Sequence, residues 1–401
     1  MDKYLPNIKV AFIGNMNNNH FAIMRYFKDF GIECHLFLLD NLPTHFSPHN
    51  DTWDVEKFNK SITKLNIGWP YKDFLKKKYK LKLEGFDIYI GCGLSPYYFQ
   101  KAGKKLDIFL PYGSDLYELP FKSSFTLTDI KNNLKSLIHN LFVYKMQRQG
   151  ILNSSKIFTI NHIAIISDAL KKLQKESLPL STPMVYLEKS VNNIDFRKYV
   201  NENEVKKFNF RIFSHSRQFW GDTLRLETKG NNKLIKGFAN FAKRIDDVCL
   251  ILFEYGPSVD NSKNLVKKLG IENKVIWVKK MPRKYIYAFI KLYVHLGADQ
   301  FDTGYFGASC YELMAHGIPT MNYLKDDEIT FQQKTNRPIP PVLNVSDEKE
   351  ISDAIQKIHS SKEFKEKMGK NAKEYFDKYL GIGAAEKYLE VILELYRKKK
   401  N

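Results

Sequence analysis

The chain alternates short apolar, β-branched runs with helix-forming stretches, and it does so in two successive series. Ile8–Gly14 (IKVAFIG), Cys34–Leu39 (CHLFLL), Phe86–Gly91 (FDIYIG), Asp107–Pro111 (DIFLP) and Lys156–Ile160 (KIFTI) read as strands. Helical spacing over Phe21–Phe30 ends at Gly31, the residue type that closes a helix in a left-handed turn. A second series reads as strands at Phe210–Ser214, Cys249–Glu254, Lys274–Val278, Tyr293–Leu296 and Pro319–Tyr323. Helices are predicted between them at Asn232–Arg244, Ser262–Leu269, Arg283–Lys291 and Ala308–His316. Strands separated by helices cannot close as hairpins, so the pattern predicts parallel sheets and an α/β fold. A length of 401 residues accommodates two such cores. The expected domains are 1–200 and 206–380, with the polar segment Asp195–Lys207 as linker and 381–401 as a helix crossing back to the first domain. The sequence shows neither a tandem repeat nor a low-complexity tract. In doubly wound sheets, ligands sit at the carboxyl ends of the strands near the switch in strand order.

Charge narrows the partners. With 63 Lys+Arg against 44 Asp+Glu the net charge is +19, which suits nucleic acid, anionic lipid or phosphorylated small molecules. No nucleic-acid module is recognisable and exposed aromatics do not interleave with the basic residues, so nucleic acid is set aside. No apolar run reaches the roughly 18 residues that a membrane span needs. MDKYLPNIKVAFIGN lacks a signal-peptide pattern, and the four cysteines are scattered without metal-ligand spacing. Buried free thiols in a reducing cytoplasm, and no metal, are the expectation. Phe74–Leu83 (FLKKKYKLKL) mixes five lysines with apolar residues, and Ile130–Met146 is a further apolar and basic stretch. Either is a solvated loop, or a peripheral hold on the anionic inner face of the cell membrane at about 1 kcal/mol per well-placed cation.

Several strand ends carry chemistry. Gly14–Asn19 (GNMNNN) joins the first strand to a helix; it presents backbone N–H groups to a ligand or is a plain Asn-rich turn. It is not a dinucleotide fingerprint. In Tyr112–Asp115 (YGSD), Asp115 is an acceptor base or a helix cap. In SHSRQFWGDTLRLETKG, Arg217 and Lys229 suit a diphosphate, Arg as a fork and Lys as a point charge, with Arg225 competing and His215 reading as structural. FGASCYELMAHGIPT (306–320) brings a turn at Tyr305, Phe306 and Gly307 to a helix opening at Ala308. A carboxylate in so apolar a helix, Glu312, requires donors, and ribose hydroxyls are good ones; a neighbouring lysine is the plainer partner.

Taken in order, VNNIDFRKY (191–199), KGNNKLIKGFANF (229–241), LILFEYGPS (250–258), LGIENKVIWVKKMP (269–282) and FGASCYELMAHGIPT resemble the nucleotide-sugar half of GT-B glycosyltransferases of family 4, the glycosyl transferases group 1. The resemblance covers most of the chain and is strongest from Val191 to Asn322. It implies two doubly wound Rossmann-like domains facing a central cleft, and a retaining transfer from a nucleoside diphosphate sugar without metal or other cofactor. By position it assigns the phosphate to Arg217 and Lys229, the ribose to Glu312, and donor contacts to Gly14, Met281, Gly304, Tyr305, Phe306, Gly307 and Ala308. YGSD resembles the family's HGSD-like segment with Tyr112 in place of His, which puts its acceptor role in doubt. The family usually carries a second glutamate eight positions before Glu312, where this chain has Gly304. Asp302 is the candidate substitute, and the backbone at Tyr305–Gly307 is the alternative. The implied acceptor is a surface glycan: lipopolysaccharide, capsule or lipid-linked oligosaccharide. The competing expectations are a non-catalytic nucleotide-sugar binder and another GT-B enzyme such as a nucleotide-sugar epimerase.

Overall fold

The computed structural model describes residues 6–39, 43–65, 67, 81, 83–121, 134–159, 164–188, 194–221, 228–243 and 245–401, with backbone alone at 134–140. Arg225 and nearly all of Phe74–Leu83 lie outside these residues, as do Ile130–Asn133 of the second basic stretch. The chain forms two compact units. The first comprises Met1–Tyr186, Gln333–Asn336 and Ile382–Asn401, the second Leu187–Gln332 and Arg337–Gly381.

The first unit holds a parallel sheet of β1 (Lys9–Ile13), β2 (Glu33–Leu39), β3 (Ile62–Leu65), β4 (Ile88–Gly91), β5 (Ile108–Phe109) and β6 (Lys156–Ile157) in the order β3-β2-β1-β4-β5-β6. β3 carries only one polar-apolar alternation and no long apolar run, which is why its sequence did not announce it. One face packs Phe21 and Phe27 of the helix Asn19–Asp29 with Tyr388, Leu389 and Ile392 of the terminal helix Ile382–Lys400. The other packs Tyr97 and Phe99 with Ile151 and Leu170. At the unit's edge the Arg25 guanidinium is buried between the rings of Phe21 and Tyr186, 4.4 and 4.6 Å from their centroids, and pairs with buried Asp51. Aromatic faces and a counter-ion together compensate a charge removed from water.

The second unit repeats the plan with β7 (Phe210–Ser214), β8 (Val248–Phe253), β9 (Val275–Val278), β10 (Leu296–Ala298), β11 (Thr320–Asn322) and β12 (Leu343–Asn344) in the order β12-β11-β10-β7-β8-β9. β8 is buried at every position, as a central parallel strand covered on both faces must be. The helix Asn231–Ala242 buries Leu234, Ile235, Phe238, Ala239 and Phe241 along one stripe, which is why that spacing docks on the sheet.

Two expectations need correction. Asp195–Lys207 is not a linker: Phe196, Val200 and Val205 are buried with Phe213 and Phe289 in the second unit's core, so the first unit's opening segment ends at Tyr186 rather than near 200. The polar residues of that segment simply face out around three apolar anchors. Tyr293 closes the helix Arg283–Tyr293 instead of opening a strand, and β10 begins at Leu296.

Tyr388 is fully buried in the first unit and its ring meets Phe158 edge-on at 4.8 Å. Tyr388→Ala is expected to destabilise that unit by about 3–5 kcal/mol, read as a lower urea midpoint.

Candidate active site

The crevice of each sheet lies where the strand order reverses: between β1 and β4 in the first unit, and between β7 and β10 in the second. In the first unit, the Asn-rich loop after β1 is stitched to the segment at 45–46. Asn15 Nδ2 donates to the Phe46 carbonyl at 2.7 Å and to Asn18 Oδ1 at 2.8 Å, while Asn18 Nδ2 donates to the His45 carbonyl at 2.9 Å. The Gly14 carbonyl bonds His20 Nδ1 at 2.8 Å; burial pushes that imidazole down to about 4, against the opposing pull of this bond. Gly14 therefore fixes a turn whose polar side chains are largely satisfied within the protein.

Asp115 is likewise occupied. Its Oδ1 accepts from the Tyr112 and Gly113 amides at 3.0 and 2.8 Å, and its Oδ2 from the Gly93 amide at 3.0 Å. Burial pushes its carboxyl up to about 6, against the pull of those amides. The carboxylate ties the YGSD turn to the loop after β4. The Tyr112 ring lies edge-on to His20 at 6.3 Å, and burial above all holds its hydroxyl well above the ordinary phenol range.

The second crevice gathers more of the expected residues. His215, Ser216 and Arg217 follow β7 directly, and Asp299, Gln300 and Phe301 follow β10. Asp299 joins the two sides: its Oδ1 accepts from the Ser216 hydroxyl at 2.8 Å, and its Oδ2 accepts from the Gly307 amide that opens the helix Ala308–Ala315. Gly307 thus gives its N–H to Asp299 and has none to offer a ligand. Lys229 Nζ donates to Gln300 Oε1 at 2.5 Å, which holds its ammonium at the end of β10. The Arg217 guanidinium lies 5.0 Å from the Phe219 ring centroid. Its loop abuts Gly256 of the Gly-Pro turn, where φ is +122° and an added Cβ would run into the Gln218 carbonyl. Neither Gly307 nor Gly230, which precede the two helices rising from this crevice, supplies a side-chain cap. Each start nevertheless has a carboxylate beside it: Asp299 accepts the Gly307 amide, and Asp302 Oδ1 lies 2.8 Å from where a Cβ on Gly230 would be.

Glu312 lies one turn into its helix and is buried. Its Oε1 accepts from Arg283 Nε at 2.8 Å and its Oε2 from His215 Nε2 at 2.6 Å. The carboxylate requires the proton on Nε2, which assigns the imidazole tautomer. Burial pushes the Glu312 carboxyl up, but the Arg283 charge and the His215 hydrogen bond outweigh it and hold the group below its ordinary value. Among the described residues His215 Nδ1 is buried without a hydrogen-bond partner. His316 Nδ1 meets the Glu312 carbonyl at 2.7 Å, and burial first of all pushes its imidazole down to about 4.

Asp302 pairs through Oδ1 with Lys233 Nζ at 2.9 Å. Gly304 has φ +73°, and a Cβ there would approach the Lys325 methylenes at 2.7 Å. Lys325 in turn lays its ammonium 4.7 Å from the Tyr305 ring centroid, and the Tyr305 hydroxyl raises its pKa above the ordinary value. Phe306 packs against Tyr311 at 5.2 Å, and the Tyr305 carbonyl accepts from Gln300 and Asn322. Ala308 is exposed at the helix start, whereas Met281 is buried in the core with Ile286 and Phe289. Sequence reading missed Asp299, Arg283 and Lys325. Only Asp299 carried a signal, as an acid at the carboxyl end of a strand.

Residues 224–375 match the family model for glycosyl transferases group 1. They are a glycosyl transferases group 1 domain. The chain is also similar to solved structures along its whole length. HepE of Anabaena, in complex with UDP and glucose, shares 13% identity at a TM-score of 0.56, covering 96% of this chain and 99% of that one. A TarM mutant of S. aureus, in complex with Fondaparinux, alpha-GlcNAc-glycerol and UDP, shares 11% at 0.56, covering 97% and 99%. The lipopolysaccharide outer core galactosyltransferase WaaB, in its apo form, shares 14% at 0.52, covering 96% and 99%. At such identities the likeness is one of fold: two Rossmann-like domains of the GT-B type. No curated protein sequence matches the chain. Lys229, Arg283 and Glu312 fall within the matched residues, and His215 and Arg217 lie just before them.

Two outcomes are expected. Glu312→Ala strands Arg283 and His215 in the interior and should destabilise the second unit by about 3–5 kcal/mol, measured by urea unfolding. Gly304→Glu should not restore a working carboxylate. Its positive φ alone costs about 1–3 kcal/mol, so the variant is expected to melt lower than wild type without any gain in donor turnover.

Proposed function

We propose that the protein is a glycosyltransferase. It moves a hexose-type sugar from a nucleoside diphosphate sugar to a surface-glycan acceptor with net retention at the transferred carbon. The observation that carries this reading is the crevice between β7 and β10. There the buried, charge-compensated carboxylate of Glu312 bonds His215 at the end of β7, Arg217 follows two residues on, and Gln300 holds Lys229 at the end of β10.

Each part has a task in this reading. Arg217 and Lys229 hold the diphosphate and stabilise the charge that builds on it as it departs. Glu312 accepts from the ribose hydroxyls. The acceptor hydroxyl forms the new glycosidic bond, the bond from the anomeric carbon to the phosphate oxygen breaks, and the hydroxyl proton leaves with the diphosphate. Protein cations meet the phosphate charge, so the scheme calls for no metal ion. With Asp302 paired to Lys233 and Gly304 bare, the donor sugar is held by backbone near Tyr305 and Phe306 rather than by a second carboxylate.

The acceptor is read as lipopolysaccharide, capsule or lipid-linked oligosaccharide, with a peripheral hold on an anionic membrane. The net charge of +19 and the fold shared with a lipopolysaccharide galactosyltransferase support this. Among the described residues no helix is long and apolar enough to cross a membrane.

The direct test is a panel of nucleotide sugars, followed by thermal shift and by release of free nucleoside diphosphate. A shift with release supports the transferase. A shift without release, with glycan acceptors present, would leave a binder instead. Arg217→Ala is expected to lower turnover about 100-fold while the unfolding temperature stays close to wild type. Unchanged turnover would move the phosphate role away from Arg217.

A further inference from the structure

The inference rests on the donor-site reading and concerns two residues that never need touch the donor. We propose that Arg283 and His215 are positioning residues that hold Glu312 as an oriented anion, and that this clamp makes the site selective for ribonucleotides over their 2′-deoxy counterparts.

The geometry carries the argument. Glu312 is 6% exposed, so a carboxylate there must meet donors or take up a proton. Each oxygen has one short protein bond from a different direction: Oε1 from Arg283 Nε at 2.8 Å, Oε2 from His215 Nε2 at 2.6 Å. Two bonds from two separate elements set the plane of the carboxyl group, so it cannot rotate to suit a different ligand. A carboxylate oxygen accepts at more than one lone-pair site, so each keeps capacity for a further donor. Two fixed acceptors side by side match two adjacent hydroxyls, the diol of a ribose, and repel a phosphate or a carboxylate. A ligand lacking one hydroxyl would leave a buried acceptor unmet, and such mismatches discriminate strongly.

The elements that place the clamp are themselves fixed. Arg283 opens the helix Arg283–Tyr293, 12% exposed, with its guanidinium 5.5 Å from the Tyr287 ring centroid. His215 stacks on Phe213 at 5.1 Å, their planes 18° apart, and meets Phe253 edge-on at 5.9 Å. His316, at the end of the Glu312 helix, bonds the Glu312 carbonyl and stays neutral above about pH 5 because burial depresses it. Of the charges facing Glu312, that of Arg283 acts most strongly, with His215 next. Without the Arg283 charge, burial acts with less opposition and the carboxyl takes up a proton at higher pH. A protonated Glu312 has lost one acceptor and with it the match to a diol.

The test uses UDP, GDP and ADP, each beside its 2′-deoxy counterpart, titrated calorimetrically into the full-length protein. Wild type should bind one ribonucleotide at least about tenfold more tightly than its deoxy form, and the ratio should hold from pH 8 to pH 5.5. In Arg283→Gln the ratio should fall to within about threefold, and ribonucleotide affinity should decline as pH is lowered. Arg283→Lys, which restores the charge, should recover a flat profile. Binding without discrimination in wild type would overturn this inference alone and leave the donor-site reading standing. Discrimination that survives unchanged in Arg283→Gln, with a flat profile, would reduce Arg283 to a structural residue and also overturn it. If Arg283→Gln does not fold, the wild-type profile decides, because a ratio that collapses between pH 7 and pH 5.5 contradicts a clamped anion. Failure of every nucleotide to bind wild type would sink the donor-site reading and this inference together.

Discussion

A carboxylate inside an apolar helix must be compensated, and the second unit is arranged around how Glu312 is compensated. Its partners come from a strand end and from another helix, His215 after β7 and Arg283 at the start of Arg283–Tyr293. The cluster therefore pins the Glu312 helix to the crevice as well as preparing a ligand contact. Removing any member leaves the others buried and charged or unpaired, which couples the integrity of the fold to that of the site.

Asp299 performs a similar service with neutral partners. By accepting from Ser216 and from the Gly307 amide, it joins the loop after β7 to the first turn of the Glu312 helix. The same bonds remove Gly307 from the set of ligand contacts. Gly304 shows the opposite logic. A position where a carboxylate would be expected has a left-handed backbone, while Asp302 pairs with Lys233. The Lys325 methylenes occupy the space a side chain at 304 would need, and the Lys325 ammonium rests over the Tyr305 ring.

Much of the architecture was legible. The apolar runs of both series fall on strands, and the spacing of Leu234, Ile235, Phe238 and Phe241 marks a helix with one buried face. What went astray did so for identifiable reasons. Phe196, Val200 and Val205 were hidden among polar neighbours, so a core segment read as a linker. Tyr293 belongs to a helix because its ring packs on Phe196 and Phe289, a contact outside the reach of local propensity. Glu312, Arg217 and Lys229, singled out from the sequence, lie on the segments that follow β7 and β10, but Asp115 was read without knowing that three backbone amides already bond it.

The sequence alone determined the alternation of strands and helices, and hence parallel sheets with loops gathered at their carboxyl ends. It determined the glycine turns too, because periodicity and backbone freedom are local properties written over a few neighbouring residues. Only the tertiary structure decided which polar groups meet. His215 stands 97 positions from Glu312 and Arg283 stands 29, and no local pattern spans such intervals. Their meeting follows from strand order and helix docking, which bring distant segments to the same buried point, and from the cost of leaving a carboxylate there without donors.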